Sequence, residues 1–328
     1  MSVAAPVPDA ARAPRADAAG PPAVEALGLH RRFAETVALR DATLAVAPGE
    51  VRALLGLNGA GKTTLLRILA GLVEADGGEV RIPGTAGVSE RRRLVGLIPS
   101  GDRSFYLRIS GLENLVFFAR LQGMPRRRAI ERARELLAVV GLAAAAGRRA
   151  GEYSHGMQKR LSVARALLCD PPVLLVDEAT HDLDPEGAGS VRSLVRAAAD
   201  RGAAVIWATQ RLDEIRGFAD SVTVLRRGEA RFAGTVAALL EHATPRRHLL
   251  QLDLDAAATV ARLQVALGPL GRLSDAGGGH LLLDLADGAD LGGAVAAIAS
   301  TGTRVVAVRQ ERSEVEEAFL SLVREAPA

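Results

Sequence analysis

The stretch GLNGAGKTT, Gly56 to Thr64, decides the fold. It fits G-x-x-x-x-G-K-[ST], with the apolar run EVRALLG before it and TTLLRILAGL, apolar at helical spacing, after it. A strand that turns through glycines into a helix is the setting in which this pattern cradles phosphate. Gly56, Gly59 and Gly61 let the backbone curl with its N–H groups inward, Asn58 stands within the turn, and the helix start adds a favourable dipole. Lys62 is placed to reach the β and γ phosphates of a nucleoside triphosphate. The Thr63 hydroxyl, with Thr64 beside it, is placed to ligate Mg2+. A glycine-rich turn that merely happened to end in Lys-Thr would not need this strand and this helix.

Two further apolar runs end in polar residues. In PPVLLVDEATHDLDP, four apolar residues carry Asp177 and Glu178 to a strand end. There Asp177 can hold Mg2+ through water, and Glu178 can orient the attacking water or act as its base. A strand-terminal Asp-Glu could also cap a helix, but the phosphate loop weighs against that. In VIWATQRLDEIRGFAD the run stops at Gln210. Parallel strands of open α/β sheets point such a residue out of their carboxyl ends, where ligands bind.

Upstream of the acidic strand lies EYSHGMQKRLSVARALLCDPP. With it, residues from about Val24 to Ala238 resemble the ATP-binding cassette of ABC transporters. The family signature, usually LSGGQ, stands here as YSHGMQ: Ser154 and Gly156 are kept, while His155 and Met157 depart. The resemblance implies an α/β P-loop NTPase fold with an inserted helical lobe, ATP and Mg2+ as cofactors, and ATPase activity. It implies a second cassette as partner, a homodimer in the simplest case. Ser154 and the N–H groups of the helix start would then face the γ-phosphate held by the other copy. Phe33 stands where an aromatic stacks on adenine. Asp184 matches the acid that bridges two cassettes, although Asp182 replaces the more usual Gly.

Two departures strike γ-phosphate sensing. Gln210 occupies the place of a His, and its amide donates to phosphate but cannot become cationic. Ser100, in LIPSGDRSFYLRISG, occupies the place of a Gln that touches Mg2+ and the attacking water, and would need a bridging water for that contact. Glu178, Gln210 and Ser100 are therefore the candidate catalytic residues. The expectation is tight ATP binding with hydrolysis slower than in a cassette having both consensus groups, the alternative being that neighbouring groups compensate.

The chain has 328 residues, enough for two folded units. Residues 1–23 are Ala/Pro-rich and read as a disordered tail. Residues 24–241 read as the cassette, with the helical lobe at about 101–170. The pattern breaks near Pro245, and 248–328 alternates strand and helix as a small ferredoxin-like α+β unit. With 48% hydrophobic but only 3% aromatic residues, the core must rest on Leu, Val and Ala. Cys169, the only cysteine, excludes an intrachain disulfide, and its setting LLCDPP reads as core.

A formal charge of +3, with Arg91 to Arg93 and Arg126 to Arg128 lacking interleaved aromatics, argues against a nucleic-acid partner. The longest apolar run, LLAVVGLAAAAG, is shorter than the ~20 residues that span a bilayer. The resemblance thus implies an integral membrane subunit as a separate partner, with this chain at the cytoplasmic face of the membrane. The tail RSEVEEAFLSLV resembles that of exporter cassettes, and Phe105, Tyr106 and Arg108 are candidates for the docking surface, the alternative being that both rings simply pack the lobe. The alternative is a soluble ABC ATPase with a regulatory or non-transport role. Ribosome-acting members carry two cassettes in one chain and DNA-repair members a long coiled coil, whereas this chain has a single phosphate loop and no sustained heptads.

Overall fold

The structure is a computed structural model that describes residues 20–101, 105–242, 247–253, 260–277, 280–286, 288–310 and 314–323. Residues 1–19, the greater part of the expected disordered tail, lie outside the described residues. The chain forms two compact units, Met1–Ala238 and Leu239–Ala328.

The first unit runs β1 (Val24–Phe33), β2 (Thr36–Val46), β3 (Val51–Leu55), α1 (Lys62–Leu69), β4 (Gly77–Arg81), α2 (Val88–Leu94) and β5 (Val95–Ile98). Then come α3 (Gly111–Leu121), α4 (Arg126–Val139), α5 (His155–Ala166), β6 (Val173–Asp177), α6 (Pro185–Asp200), β7 (Ala204–Thr209), β8 (Ser221–Arg226), β9 (Glu229–Thr235) and α7 (Val236–Leu240), within which the units divide. The strands form one sheet in the order β4-β1-β2-β9-β8-β3-β7-β6-β5. From β8 to β5 every pair is parallel, and β8 joins β9 through a hairpin whose two loop residues, Arg227 and Gly228, both have positive φ. That is the backbone a tight two-residue hairpin demands.

The parallel strands are apolar throughout because both of their faces are covered. Leu174, Val176, Val205 and Trp207 face a core completed by Leu115, Leu137, Leu161 and Val191 from α3 to α6. Their alternates Val173, Leu175, Ile206 and Ala208 face a second core with Leu65, Leu66 and Leu69 of α1 and Leu29 and Leu39 of the antiparallel strands. The helical lobe holds itself by local rules. Ser110 and Glu113 form a capping box at the start of α3. In α4 the buried residues Ala129, Ala133, Leu136 and Leu137 make one stripe at helical spacing.

The second unit contains β10 (Arg247–Asp253), α8 (Val260–Leu267), β11 (Gly271–Gly277), β12 (His280–Leu285), α9 (Leu291–Ala299), β13 (Arg304–Gln310) and α10 (Glu314–Val323). Its sheet has the order β11-β12-β10-β13 with every pair antiparallel, so each βαβ unit straddles one strand of the other. That is ferredoxin-like topology. Leu250, Leu263, Leu283 and Ile298 form its core.

Candidate functional site

Register builds the site. Leu55 at the end of β3 pairs with Thr209 of β7, and Ala208 pairs with Asp177 of β6. Gly56, Gln210 and Glu178 therefore leave three adjacent strands side by side, at the carboxyl edge of the sheet. The loop between β3 and α1 requires its glycines. Gly61 has φ +105, and a Cβ there would lie 2.5 Å from the Ala38 carbonyl oxygen. A Cβ on Gly56 would lie 2.6 Å from the Leu225 carbonyl oxygen.

Lys62, only 5% exposed, turns back into the loop. Its Nζ donates to the carbonyl oxygens of Gly56 at 2.7 Å and Leu57 at 3.3 Å, and lies 3.7 Å from Glu178 Oε1. Burial lowers its pKa, against the attraction of Glu178 and Asp177. The Thr63 hydroxyl donates to both oxygens of Asp177, at 3.2 and 3.0 Å. Asp177 is buried, which raises its pKa. Hydrogen bonds from Thr63 and Ser100 and the nearby Lys62 act the other way, while Glu178 pushes it further up. The Ser100 side chain thus reaches Asp177 directly, in a pocket of about 310 Å³ that Thr63, Pro99 and Gly101 also line.

Glu178 has φ +46, a left-handed conformation that costs a non-glycine residue about 1–2 kcal/mol. Its own N–H, bonded to the Ala208 carbonyl at 2.9 Å, helps to hold it there. Strain of this kind is typical of functional positions. Gln210 Nε2 donates to Glu178 Oε1 at 2.7 Å, so what Gln210 faces in this chain is the carboxylate beside the phosphate loop.

Ser154, Gly156 and Asp184 are brought together elsewhere. They line a cleft of about 470 Å³ with His155, Arg160, Asp182 and Leu183, and no residue of the phosphate loop lines it. Ser154 caps α5, accepting from Met157 N at 3.3 Å, and Asp184 caps α6, accepting from Gly187 N at 2.7 Å. Two helix starts therefore converge on one opening, which Arg160 lines on one side and the carboxylates of Asp182, Asp184 and Glu186 on the other. Beside it His181 Nδ1 lies 2.9 Å from Asp182 Oδ1, a contact that raises the His181 pKa.

The remaining candidates are peripheral. Asn58 is exposed and Thr64 half-buried in the first turn of α1. Phe33 is 43% exposed at the end of β1, with the Arg31 guanidinium 4.6 Å from its ring centroid. Phe105 packs edge-on to Phe118 within the lobe, whereas Tyr106 is more than half exposed and stands 5.0 Å from Phe117; Arg108 is also exposed. Cys169 is not core, contrary to the reading of its neighbours. It follows the buried Leu167 and Leu168 on the turn after α5, which rotates it outward, and its thiol donates to Gln122 Oε1 at 2.7 Å.

Two residues at the site escaped sequence reasoning. Lys159, buried in α5, donates from Nζ to the Ser100 carbonyl at 2.8 Å and ties the helix that Ser154 caps to the edge of the Asp177 pocket. A cation between Met157 and the buried Leu161 was its only signal. Glu214 is the second: it bonds the nearby Thr209 and also Thr180, 34 positions away, and no local pattern reveals the longer contact.

Comparison with known proteins gives the family. Residues 39–181 match the family described as ABC transporter. The daunorubicin/doxorubicin resistance ATP-binding protein DrrA of Streptomyces peucetius is 40% identical over 66% of this chain, a match spanning 66% of its own length, just under two thirds. The ABC transporter ATP-binding protein NatA of Bacillus subtilis is 33% identical over 62% of this chain and 84% of its own. A methionine import ATP-binding protein, MetN of Rhizobium etli, is 38% identical over 67% and 63%. Among solved structures, an ATP-binding subunit of an ABC transporter superposes with TM-score 0.60 at 27% identity, covering 66% of this chain and 92% of its own. A dimeric post-hydrolysis cassette bound to ADP and Pi gives 0.58 at 25%, covering 65% and 98%. With a glycine loop that admits no other residue at its two tightest points, and with relatives matched across most of their length, the chain belongs to the ATP-binding subunits of ABC transporters.

Proposed function

We propose that this chain hydrolyses ATP as one of two identical cassettes that clasp two nucleotides, and that it drives export through a separate integral membrane subunit at the cytoplasmic face of the membrane. One observation carries the reading. Groups suited to a triphosphate stand at the ends of β3, β6 and β7, whereas Ser154, Gly156 and Asp184 line a cleft that shares no residue with the loop. The start of α5, with Ser154 at its cap and Arg160 beside it, is the part of that cleft suited to the terminal phosphate of a nucleotide that a second copy holds, while Asp182, Asp184 and Glu186 line the rest.

In that assembly Lys62 and the loop N–H groups bind the β and γ phosphates, and Phe33 stacks on the adenine. Thr63 and Asp177 present hydroxyl and carboxylate oxygens within 3.2 Å of each other, which fits Mg2+, a hard cation that takes one or two protein oxygens along with phosphate oxygens. Bound there, the ion would neutralise charge on the bridging oxygen. Ser100, bonded to Asp177, stays at its edge. Glu178 orients a water for in-line attack on the γ-phosphorus and accepts its proton as the bond to the ADP oxygen breaks. Gln210 fixes the Glu178 carboxylate by the hydrogen bond that its side-chain amide donates.

Export is supported by the relatives named for drug resistance and by the C-terminal resemblance, although relatives named for methionine import match over a similar length. The exposed Tyr106 and Arg108 offer the residue types of a docking surface. No helix among the described residues is long and apolar enough to cross a membrane.

The test is the mass of full-length Glu178→Gln protein by light scattering. Turnover should fall by about 10²-fold or more, the effect of removing a general base. ATP should bind and convert the protein to a dimer, and ADP should not. A monomer at saturating ATP, or no ATP uptake, would overturn the proposal.

A further inference from the structure

Next to the Glu178–Gln210 pair, the turns after β6 and β7 are tied together by a residue outside the candidate site residues. Glu214 closes the short helical turn Leu212–Glu214 after β7, yet its side chain is 0% exposed. Thr180 Oγ1 donates to its Oε1 at 2.6 Å and Thr209 Oγ1 to its Oε2 at 3.2 Å. Arg211 Nε lies 3.5 Å and an Arg192 guanidinium nitrogen 3.8 Å from the same Oε1. The Arg211 N–H in turn donates to Thr209 Oγ1 at 2.9 Å. Thr180 is two residues past Glu178, and Thr209 is the residue before Gln210.

A buried carboxylate is costly even when paired, and an apolar side chain of similar volume often gives a fold equal stability. What an apolar side chain cannot do is accept from two hydroxyls on two different strand ends at once. The bridge fixes the spacing between the turn that carries Glu178 in its left-handed conformation and the strand end that carries Gln210. It also leaves the phosphate loop untouched: none of the four partners is a loop residue.

We propose that Glu214 is a positioning residue for hydrolysis: it sets the Gln210 amide against the Glu178 carboxylate and has no part in nucleotide binding. The proposal rests on Glu178 being the group that orients the attacking water. Its consequence is a specific dependence. Loss of the Glu214 bridge should matter only while Gln210 is there to be positioned.

The experiment is a double-mutant cycle on the full-length chain, with hydrolysis of labelled ATP followed at excess enzyme so that slow turnover is measurable. Glu214→Gln, which keeps the size and removes the charge, should lower the rate about tenfold with the ATP dissociation constant within about twofold. In a Gln210→Ala background the same substitution should change the rate by less than about twofold. The buried Trp207, the only tryptophan and two residues before Thr209, should keep its emission maximum. Equal factors in both backgrounds, or weaker ATP binding at an unchanged rate, would overturn the proposal. Should Glu214→Gln fail to fold, Thr180→Val cuts one hydrogen bond to Glu214 while leaving the ion pairs, and the same cycle applies. Glu178→Gln run in parallel separates the two readings: wild-type turnover there sinks the role of Glu178, whatever the cycle returns.

Discussion

The phosphate loop and the Ser154 cleft are both built at helix starts, and they differ in how each satisfies its own polar groups. In the loop region, groups are lashed to one another: Lys62 to Gly56 and Leu57, Thr63 to Asp177, Gln210 to Glu178. Gly56 and Gly61 are forced by backbone a few ångström away. In the cleft, Ser154 and Asp184 only cap their own helices, and a Cβ on Gly156 would touch nothing closer than Leu183 Cδ2 at 4.0 Å. The first region needs its residues in order to fold. The second could change them and stay folded, so any constraint on it comes from what docks there.

Paired glycine substitutions test that contrast with the largest effects. Gly61→Ala puts an alanine at φ +105 and a methyl 2.5 Å from the Ala38 oxygen. It should destabilise the unit by about 3 kcal/mol or more, a fall in Tm of roughly 6–12 °C, and abolish ATP binding. Gly156→Ala has neither a positive φ nor a clash and lies within α5, so Tm should hold or rise by a few degrees, as for Gly→Ala at a compatible helix position, with binding of ATP to the isolated chain unchanged. If the cleft receives a phosphate at close range, the added methyl should still lower turnover about tenfold or more and weaken the ATP-induced dimer. Unchanged turnover in Gly156→Ala would leave the cleft without a role.

The same contrast explains what the sequence could reveal. The glycine loop, the apolar run ending in Asp177 and Glu178 and the Ser154 cap are local: each follows from residues within one turn or one strand. Lys159 reaching the Ser100 carbonyl joins positions 59 apart, and Glu214 reaches Thr180 across 34. No periodicity encodes such pairs, because they arise only once the order β3-β7-β6 and its register are set. Cys169 fails for a related reason: hydrophobic neighbours predict burial, but the turn after α5 ends the helical repeat just where the cysteine falls. Gln210 is intermediate. Its exit from the strand end was legible, whereas its partner depended on Ala208 pairing with Asp177.

Gln210→His sharpens the comparison on the loop side. A histidine can still bond Glu178, and it adds the capacity to carry positive charge near the γ-phosphate. Turnover should rise about tenfold, against the order of 10²-fold that removing a transition-state donor costs, with the ATP dissociation constant unchanged. A rate equal to wild type would mean that neighbouring groups already supply what Gln210 lacks.

The smallest effects are in stability and follow from Asp177. Its burial raises its pKa in the folded chain, so its contribution favours folding below the unfolded pKa and is lost as pH rises through the folded one. Above that range it is a buried charge that weakens the fold. Asp177→Asn is neutral throughout and keeps an acceptor for Thr63, while Glu178, 3.7 Å from Lys62, remains as the ammonium's counter-charge. In mildly alkaline buffer the Asp177→Asn protein should melt about 2–4 °C higher, roughly 1 kcal/mol in a domain of this size, with Mg2+-dependent hydrolysis lost. The gain should vanish on acidification through the folded pKa of Asp177, where the wild-type carboxyl becomes neutral itself. Asp184→Asn in the exposed cleft should behave differently, because asparagine caps a helix as well as aspartate does. In the same mildly alkaline buffer its Tm should match wild type, and a gain there would erase the distinction between a region tied for folding and one left open for a partner.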